Sequence, residues 1–141
     1  MLFQRIIRPI QLTILMFALL EAVDSHADHP LADFVKKLPA DSVKRIRDAG
    51  EHLILIDLRP AKEFQKKRLP KAHSVPSTEI EKRFREIPKM GRVVLYCACD
   101  EYEIIDKAIF LQNLGYRNIS VMLEGFPGWV KLGYPVEEGQ P

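Results

Sequence analysis

The chain is poor in cysteine: its 141 residues include only Cys97 and Cys99. Because a single residue separates the two, they cannot staple distant parts of the fold as a long-range disulfide does. The chain also lacks a basic stripe with interleaved aromatic residues, since 21 Lys and Arg nearly balance 19 Asp and Glu, for a net charge of +2. This balance argues against nucleic acid as the main partner. No internal repeat, low-complexity tract or interdomain linker divides the chain, so one domain is expected.

Long hydrophobic runs are also absent. The apolar stretch Leu12–Leu20 is far shorter than the roughly 20 residues that span a bilayer. Two arginines precede this stretch, and Ser25-His26-Ala27 follows it with the small-x-small pattern of a signal-peptidase site. We therefore expect a signal peptide over residues 1–27, cleaved after Ala27, with an uncleaved membrane anchor as the alternative. The protein is then periplasmic or secreted, and it meets a membrane only through a retained signal segment.

Short apolar runs alternate with helical patterns along the rest of the chain. The runs Leu53–Leu58 and Val93–Tyr96 are mainly apolar on successive residues, as suits strands that are covered on both faces of a parallel sheet, and Ile119–Leu123 is expected to be the last strand. A helical pattern precedes the first run at Pro39–Gly50, and others stand between the runs at Pro60–Lys67, Thr78–Ile87 and Ile104–Leu111. This alternation with short connections predicts an α/β fold with a mostly parallel central sheet and helices on both faces.

Three local patterns refine that prediction. Residues 28–38 are expected to form a lead-in with a minor edge strand at Phe34-Val35, and the domain itself is expected over residues 39–138. Thr78 and Glu81 match a capping box, which predicts the start of a helix. Four basic residues between Lys66 and Lys71 are interpreted as a solvated face, or as a surface that steers an anionic donor.

The stretch that carries chemistry begins where the strand Val93–Tyr96 ends in Cys97. A polar loop leads from this cysteine into the helical pattern, and Gly115 is expected to end that helix; the loop residues are Ala98, Cys99, Asp100, Glu101, Tyr102 and Glu103. Backbone N–H groups and the dipole at a helix N-terminus stabilise a thiolate and hold an anion attached to it. The position therefore predicts Cys97 as a nucleophile inside a collar of loop amides, with a small buried core cysteine as the alternative.

Ordered motifs along the chain resemble the single-domain rhodanese-like proteins. The matching pieces are Leu55–Pro60, Glu63-Phe64, Arg68–Pro76, Val93–Cys97 and Leu123–Val136. The resemblance implies a rhodanese-like α/β fold and sulfur transfer. A cysteine at the position of Cys97 would take a sulfane sulfur from a donor such as thiosulfate, become a persulfide, and pass the sulfur to cyanide or to a thiol. The resemblance also implies that Asp57 and Arg59 support the site through an ion pair, and no cofactor is expected.

The loop departs from the family pattern in its charge, because it carries Asp100, Glu101 and Glu103 and no cation before Lys107. Carboxylates at the mouth of a site repel a dianion such as thiosulfate and raise the pKa of a nearby thiol. At the start of a helix they instead stabilise the dipole. Thiosulfate is therefore an unfavourable physiological donor. The expected partners are a small sulfur donor and a thiol acceptor, which includes a protein thiol.

The loop also departs from the pattern in its length. The interval from Cys97 to Gly115 suggests one residue more than the commonest sulfurtransferase pattern, and the longer form resembles phosphatases of the same superfamily. Those proteins hold phosphate with an arginine at the end of the loop. No arginine stands between Cys97 and Arg117, so phosphatase activity is not expected.

Cys99 supplies a second thiol within reach of Cys97. It can resolve a persulfide or sulfenic acid on Cys97 as a small disulfide, or it can pack under the helix as a loop side chain. Two thiolates, even with His73, are too few ligands to predict a metal site. Three functions stay open: a sulfurtransferase or persulfide carrier, a thiol redox protein that uses the cysteine pair, and a non-catalytic binding module.

Overall fold

The structure is a computed structural model that describes residues 34–139. The predicted signal peptide and most of the lead-in lie outside the described residues. In chain order the elements are β1 (Lys36–Leu38), α1 (Ala40–Asp48), β2 (Leu53–Asp57), α2 (Ala61–Lys66), β3 (Lys67–Arg68), β4 (His73–Ser74), α3 (Ile80–Arg83) with a 3₁₀ turn (Phe84–Glu86), β5 (Arg92–Tyr96), α4 (Glu101–Asn113), β6 (Ile119–Met122), α5 (Gly125–Lys131) and β7 (Glu137–Glu138). Between residues 34 and 139 no helix is both long and apolar enough to cross a bilayer.

Five strands form one sheet in the order β1-β6-β5-β2-β4, and every neighbouring pair is parallel. This confirms the predicted α/β fold. Parallel strands all end at the same edge of a sheet, and Asp57 at the end of β2 lies opposite Tyr96 at the end of β5. Cys97 follows Tyr96 directly. It therefore lies at the carboxyl edge, where open α/β sheets place their functional sites.

The core lies on both faces of the sheet because successive strand side chains point in opposite directions. On one face, strand residues such as Ile56 and Leu95 pack with buried side chains of α3 and α4, and Cys97 belongs to this cluster. On the other face, residues such as Leu55 and Val94 pack with side chains of α1 and α5. Helices therefore cover both faces, as the sequence predicts.

The edge strand lies two residues later than predicted. It is β1, Lys36–Leu38, rather than Phe34-Val35, because residues 36–38 pair in parallel with Ser120–Met122 of β6. Phe34 stands outside the sheet and is 74% exposed, whereas Val35 is buried in the core. The lead-in thus contributes a true strand to the sheet, at the edge next to β6.

The predicted capping box is wrong. Helix α3 begins at Ile80, after Glu79, and no side chain caps its N-terminus. The preceding residues form a turn that the amide of Glu79 closes on the carbonyl of Pro76 at 2.8 Å. Arg83 lies 2.9 Å from Glu79 and 2.7 Å from Glu86, so glutamates other than Glu81 carry the local ion pairs.

A short antiparallel ribbon of β3 and β7 lies beside the main sheet. In it, Lys67 Nζ lies 2.8 Å from Glu138 Oε1 and Arg68 Nε lies 3.3 Å from Glu137 Oε2. Arg68 is buried and also donates to the carbonyl of Gly139 at 2.6 Å. The basic cluster between Lys66 and Lys71 is therefore not simply a solvated face, because two of its members bind the acidic C-terminal strand.

Candidate active site

Cys97 stands between the end of β5 and the start of α4. Asp100 is the N-cap of this helix, and its Oδ1 accepts the amide of Glu103 at 2.8 Å. The first N–H groups of an α-helix have no acceptor within the helix, so its N-terminus carries partial positive charge. The sulfur of Cys97 thus stands beside a capped helix N-terminus. When this cysteine is reduced, that position stabilises the thiolate.

The two cysteines form a disulfide with each other, with their Cα atoms 5.4 Å apart. The amide of Cys99 also donates to Cys97 Sγ at 3.1 Å. The thiolate predicted at Cys97 is therefore not the state of this structure, and it forms only when the disulfide is reduced. Cys99 packs against the core from a half-buried position, but its sulfur faces Cys97, as a resolving thiol requires.

The loop amides do not all face the sulfur as the predicted collar requires. The amide of Cys99 points at Cys97 Sγ, whereas the amide of Glu103 is occupied by the carboxylate of Asp100. The amide of Ile104 continues the helix by donating to the Asp100 carbonyl at 3.4 Å. The groups available to an anion on Cys97 are thus the loop amides that precede Glu103.

Cys97 is only 4% exposed, yet two surface cavities reach it. A cavity of about 150 Å³ separates the loop from residues 121–125, and one of about 290 Å³ separates it from residues 58–60. Both cysteines line both cavities. A small molecule can therefore approach the sulfur pair from either side of the loop.

The largest described cavity lies elsewhere and contains neither cysteine. It has a volume of about 770 Å³ and lies near the start of β2 and of β4, where Leu53 and His73 line it. His73 is thus not gathered with the two cysteines. Over residues 34–139, no group of three His, Cys, Asp or Glu side chains is placed to hold a metal ion.

The three acidic loop residues have different environments. Asp100 caps α4, as described above, and Glu101 Oε1 lies 2.6 Å from Lys37 Nζ of β1. Glu103 is exposed and lines the larger of the two cavities at the cysteines. The cation that pairs with Glu101 comes from a distant part of the chain, and no local sequence pattern points to it.

Asp57 and Arg59 form a buried ion pair next to the site, with exposures of 0% and 4%. Arg59 Nη2 lies 2.6 Å from Asp57 Oδ2, Nε lies 3.0 Å from Oδ1, and the backbone amide of Arg59 donates to Oδ1 at 2.9 Å. Arg59 Nη2 also donates to the carbonyl of Lys67 at 2.8 Å. Such a charge-assisted, two-point contact fixes the orientation of the guanidinium.

The orientation of Arg59 connects this ion pair to the cysteine. Its guanidinium carbon lies 3.6 Å from the centroid of the Phe126 ring, a stacking contact. The amide of Phe126 in turn donates to the carbonyl of Cys97 at 2.7 Å. Asp57, Arg59 and Phe126 thus form a continuous series of contacts that ends on the backbone of Cys97.

Tyr96 completes this arrangement from the strand itself. Burial raises the pKa of its hydroxyl, and the charge of Asp57 raises that pKa further. The phenol therefore stays protonated, and its oxygen accepts the amide of Leu69 at 3.3 Å. It leaves no unpaired polar group beside the buried carboxylate.

Gly125 permits the close contact between the start of α5 and the cysteine. Its φ is +58°, and a Cβ atom added there would overlap the carbonyl oxygen of Cys97. We expect Gly125→Ala to lower the free energy of unfolding by about 3 kcal/mol, because both backbone strain and a backbone clash oppose it.

Gly133→Ala is the matched control for this substitution. Gly133 has a similar φ of +72°, but nothing lies within 4 Å of an added Cβ. This variant is expected to lose only about 1 kcal/mol. Urea unfolding of both variants measures the difference. Equal losses of unfolding free energy would show that the close contact of residue 125 with the Cys97 carbonyl imposes no constraint.

The chain matches a family model described as a rhodanese-like domain over residues 39–132. An HTH-type transcriptional regulator of Mycobacterium tuberculosis is 31% identical over 137 residues, which cover 89% of this chain and 59% of the regulator. A sulfurtransferase of Allochromatium vinosum is 26% identical over 102 residues, which cover 72% of this chain and 94% of that protein. The crystal structure of thiosulfate sulfurtransferase from Pseudomonas aeruginosa has a TM-score of 0.65 and 28% identity, over 77% of this chain and 21% of that one. The chain thus spans 59% of the regulator and 21% of the crystallised protein.

Proposed function

Because the chain belongs to the rhodanese-like domain family, we propose that it is a sulfurtransferase or persulfide carrier that moves a sulfane sulfur through Cys97. The observation that carries the proposal is the placement of Cys97 at the carboxyl end of β5, beside the N-terminus of α4 and on two surface cavities. The sulfurtransferase from A. vinosum, of which this chain covers nearly the whole length, supports the same reaction class.

The proposed reaction begins with the reduced protein, since only a thiolate attacks sulfur efficiently. The Cys97 thiolate attacks the outer sulfur of a donor R–S–SH. The bond between the two donor sulfurs breaks, R–S⁻ leaves, and Cys97 carries a persulfide. An acceptor thiolate then attacks the outer sulfur of this persulfide and releases Cys97 as a thiolate.

The residues around Cys97 assist this chemistry in different ways. The Cys99 amide, 3.1 Å from Cys97 Sγ, and the dipole of α4 favour negative charge on the sulfur. Phe126 fixes the Cys97 carbonyl, and Arg59 fixes Phe126. In this proposal Cys97 is the catalytic residue, whereas Asp57 and Arg59 are positioning residues that act through the backbone.

The charge at the mouth favours a persulfide donor over thiosulfate. Glu124 lines the smaller cavity beside Glu101, which is paired with Lys37. Glu103 lines the larger cavity beside Glu63, which lies 3.7 Å from Arg59, and the guanidinium of Arg59 is already paired with Asp57. Each carboxylate repels a dianion about twice as strongly as a monoanion at the same distance. A small persulfide, which carries at most one charge on its reacting group, enters with less repulsion.

Glu103→Gln is expected to raise kcat/KM for thiosulfate by about two- to fivefold at low ionic strength, because one repulsive charge is removed. The gain should shrink in 1 M salt, where the Debye length is about 3 Å. Glu51→Gln is the matched control. Glu51 precedes β2, forms an ion pair with Arg92 and lies away from the sulfur pair. The electrostatic explanation would be contradicted if the two substitutions changed kcat/KM equally, or if the gain in kcat/KM were the same at low and high salt.

The proposal includes export. Residues 1–27 have the pattern of a signal peptide, and a cysteine pair that forms a disulfide suits an oxidising compartment. Expression of the full chain followed by N-terminal sequencing of the exported product tests this point. Asp28 is the expected first residue, and a product that retains Met1 in the cytoplasm would refute export.

The redox state of the cysteines gives the most direct test of the proposed function. Protein that has been reduced and freed of reductant is expected to consume the sulfane sulfur of glutathione persulfide, whereas protein kept as the disulfide is expected to leave it intact. The measurement is cyanolysis of the sulfane sulfur that remains on glutathione after the protein has been removed by filtration. Equal consumption by the two forms, or none by either, would overturn the proposal.

A second candidate function is thiol–disulfide exchange, which the Cys97–Cys99 bond itself favours. In that case the reduced protein transfers two electrons to a disulfide substrate and takes no sulfur. A reversible two-electron redox titration, with no persulfide formed from any donor, would favour this candidate over sulfur transfer.

A further inference from the structure

The disulfide accounts for both cysteines of the chain. Both cysteines line the same two cavities and their sulfur atoms are bonded, so any sulfur bound to Cys97 lies beside Cys99. A simple sulfur carrier needs only one thiol at this place. The second thiol, within bonding distance of the first, is placed to react with whatever Cys97 carries.

Resting on the proposed function, we propose that Cys99 discharges the Cys97 persulfide as sulfide, so that the protein reduces sulfane sulfur. The Cys99 thiolate attacks Cys97 Sγ, the bond from Sγ to the outer sulfur breaks, and the outer sulfur leaves as HS⁻. The Cys97–Cys99 disulfide is the second product. The outer sulfur gains two electrons and the two thiols lose them, so the step balances without a further reactant.

The geometry favours this step over transfer to an external acceptor. Cys99 is held in contact with Cys97, and such intramolecular attack has a large effective concentration. An external thiolate must instead enter cavities that Glu103 and Glu124 line, together with Glu101, which is paired with Lys37. Glu103 and Glu124 slow the entry of any anionic thiolate, whereas Cys99 needs no entry and reaches the persulfide first.

Closing the cycle requires a reductant, and we assign this role to an external dithiol. Cys99 is half-buried whereas Cys97 is buried, so we assign Cys99 Sγ as the sulfur that the dithiol attacks. Attack on Cys99 expels Cys97 as the leaving thiolate. The Cys99 amide already donates to this sulfur at 3.1 Å, and a stabilised thiolate leaves faster.

This inference places the protein after reactions that generate persulfides and before reactions that consume sulfide. The substrate class is a small persulfide, and the products are a thiol and sulfide. Two electrons are drawn from a dithiol in each cycle. The disulfide in the structure is then the resting state after one turnover rather than an inactive by-product.

The test is a single turnover of the full chain, reduced and then freed of reductant under anaerobic conditions. One equivalent of glutathione persulfide is added, and sulfide, free thiols and intact mass are measured. The wild-type protein is expected to release about one equivalent of sulfide, lose both thiols and gain no sulfur. Cys99→Ser is expected to gain the mass of one sulfur atom and to release at least about tenfold less sulfide. Cys97→Ser is the matched control and should do neither.

The outcomes separate the inference from the proposed function. If Cys99→Ser gains sulfur but the wild-type protein also keeps its persulfide and a free Cys99, the discharge step is wrong and sulfur transfer stands. If neither protein gains sulfur nor releases sulfide, both fail. Cys99→Ala repeats the test without a hydroxyl, and thermal unfolding verifies that both variants are folded.

Discussion

Replacing Cys97 by serine is expected to lower the rate of sulfur uptake by at least about a thousandfold, because a hydroxyl is a far weaker nucleophile than a thiolate. The fold should survive, since serine is nearly isosteric and Cys97 is one member of a large core cluster. Uptake is measured as the rate at which reduced protein removes sulfane sulfur from glutathione persulfide.

Cys99→Ser is the comparison for this prediction. It removes the neighbouring thiol, and with it the disulfide, but leaves the predicted nucleophile in place. Sulfur uptake should therefore be lost in Cys97→Ser and retained in Cys99→Ser. If Cys97→Ser and Cys99→Ser take up sulfur equally, Cys97 is not the carrier. If a strain with Cys97→Ala retains full function, the domain serves instead as a binding module.

Asp57→Asn is expected to lower the free energy of unfolding by about 3 kcal/mol. The substitution keeps the shape of the side chain but removes the buried charge 2.6 Å from Arg59, which is only 4% exposed, and leaves it the half-exposed carboxylate of Glu63 at 3.7 Å. A buried guanidinium without its carboxylate is strongly destabilising, and the loss should appear in urea unfolding. Sulfur uptake should fall as well, because Arg59 orients Phe126 against Cys97.

An exposed ion-pair network provides the control for this stability prediction. Arg83 lies 2.9 Å from Glu79 and 2.7 Å from Glu86, but the Arg83 side chain is one third exposed and the two glutamates are about half exposed. Arg83→Gln is therefore expected to cost less than about 1 kcal/mol. Similar losses in the two variants would mean that the burial of the Asp57–Arg59 pair does not determine its contribution.

The main sheet could be predicted because its signals are local. The apolar runs that became β2, β5 and β6 are each long enough to read as strands, and their order with the intervening helices limits the topology. The end of α4 could also be predicted from a local signal. Gly115 follows the last turn of this helix, and its φ of +89° is the conformation that glycine adopts after a helix.

Other features escaped prediction because they depend on contacts between distant residues. The ribbon of β3 and β7 joins pairs of residues about seventy positions apart. Each of its strands has two residues, which is too short to show the alternation of side chains that predicts a strand. The capping box failed because Thr78 and Glu81 match a common local pattern, whereas the tertiary fold starts α3 at Ile80. Arg68 looked solvated among its basic neighbours and is buried against the C-terminal strand.

The site was predictable in part for the same reasons. The position of Cys97 between a strand and a helix is a local signal, and the resemblance to rhodanese-like proteins pointed to Asp57 and Arg59. The stacking of Arg59 on Phe126 and the pairing of Glu101 with Lys37 join separate elements, and no short motif encodes them. The Cys97–Cys99 disulfide was one of two interpretations of the spacing, and the structure contains that bond.

The central claim is that Cys97 carries the transferred sulfur, and locating that sulfur tests it most directly. Reduced Cys99→Ser protein is treated with glutathione persulfide, alkylated, digested and sequenced by tandem mass spectrometry. We expect one additional sulfur atom on the peptide that contains Cys97, attached to that cysteine. A fully alkylated Cys97 thiol with no added sulfur after donor treatment would contradict it.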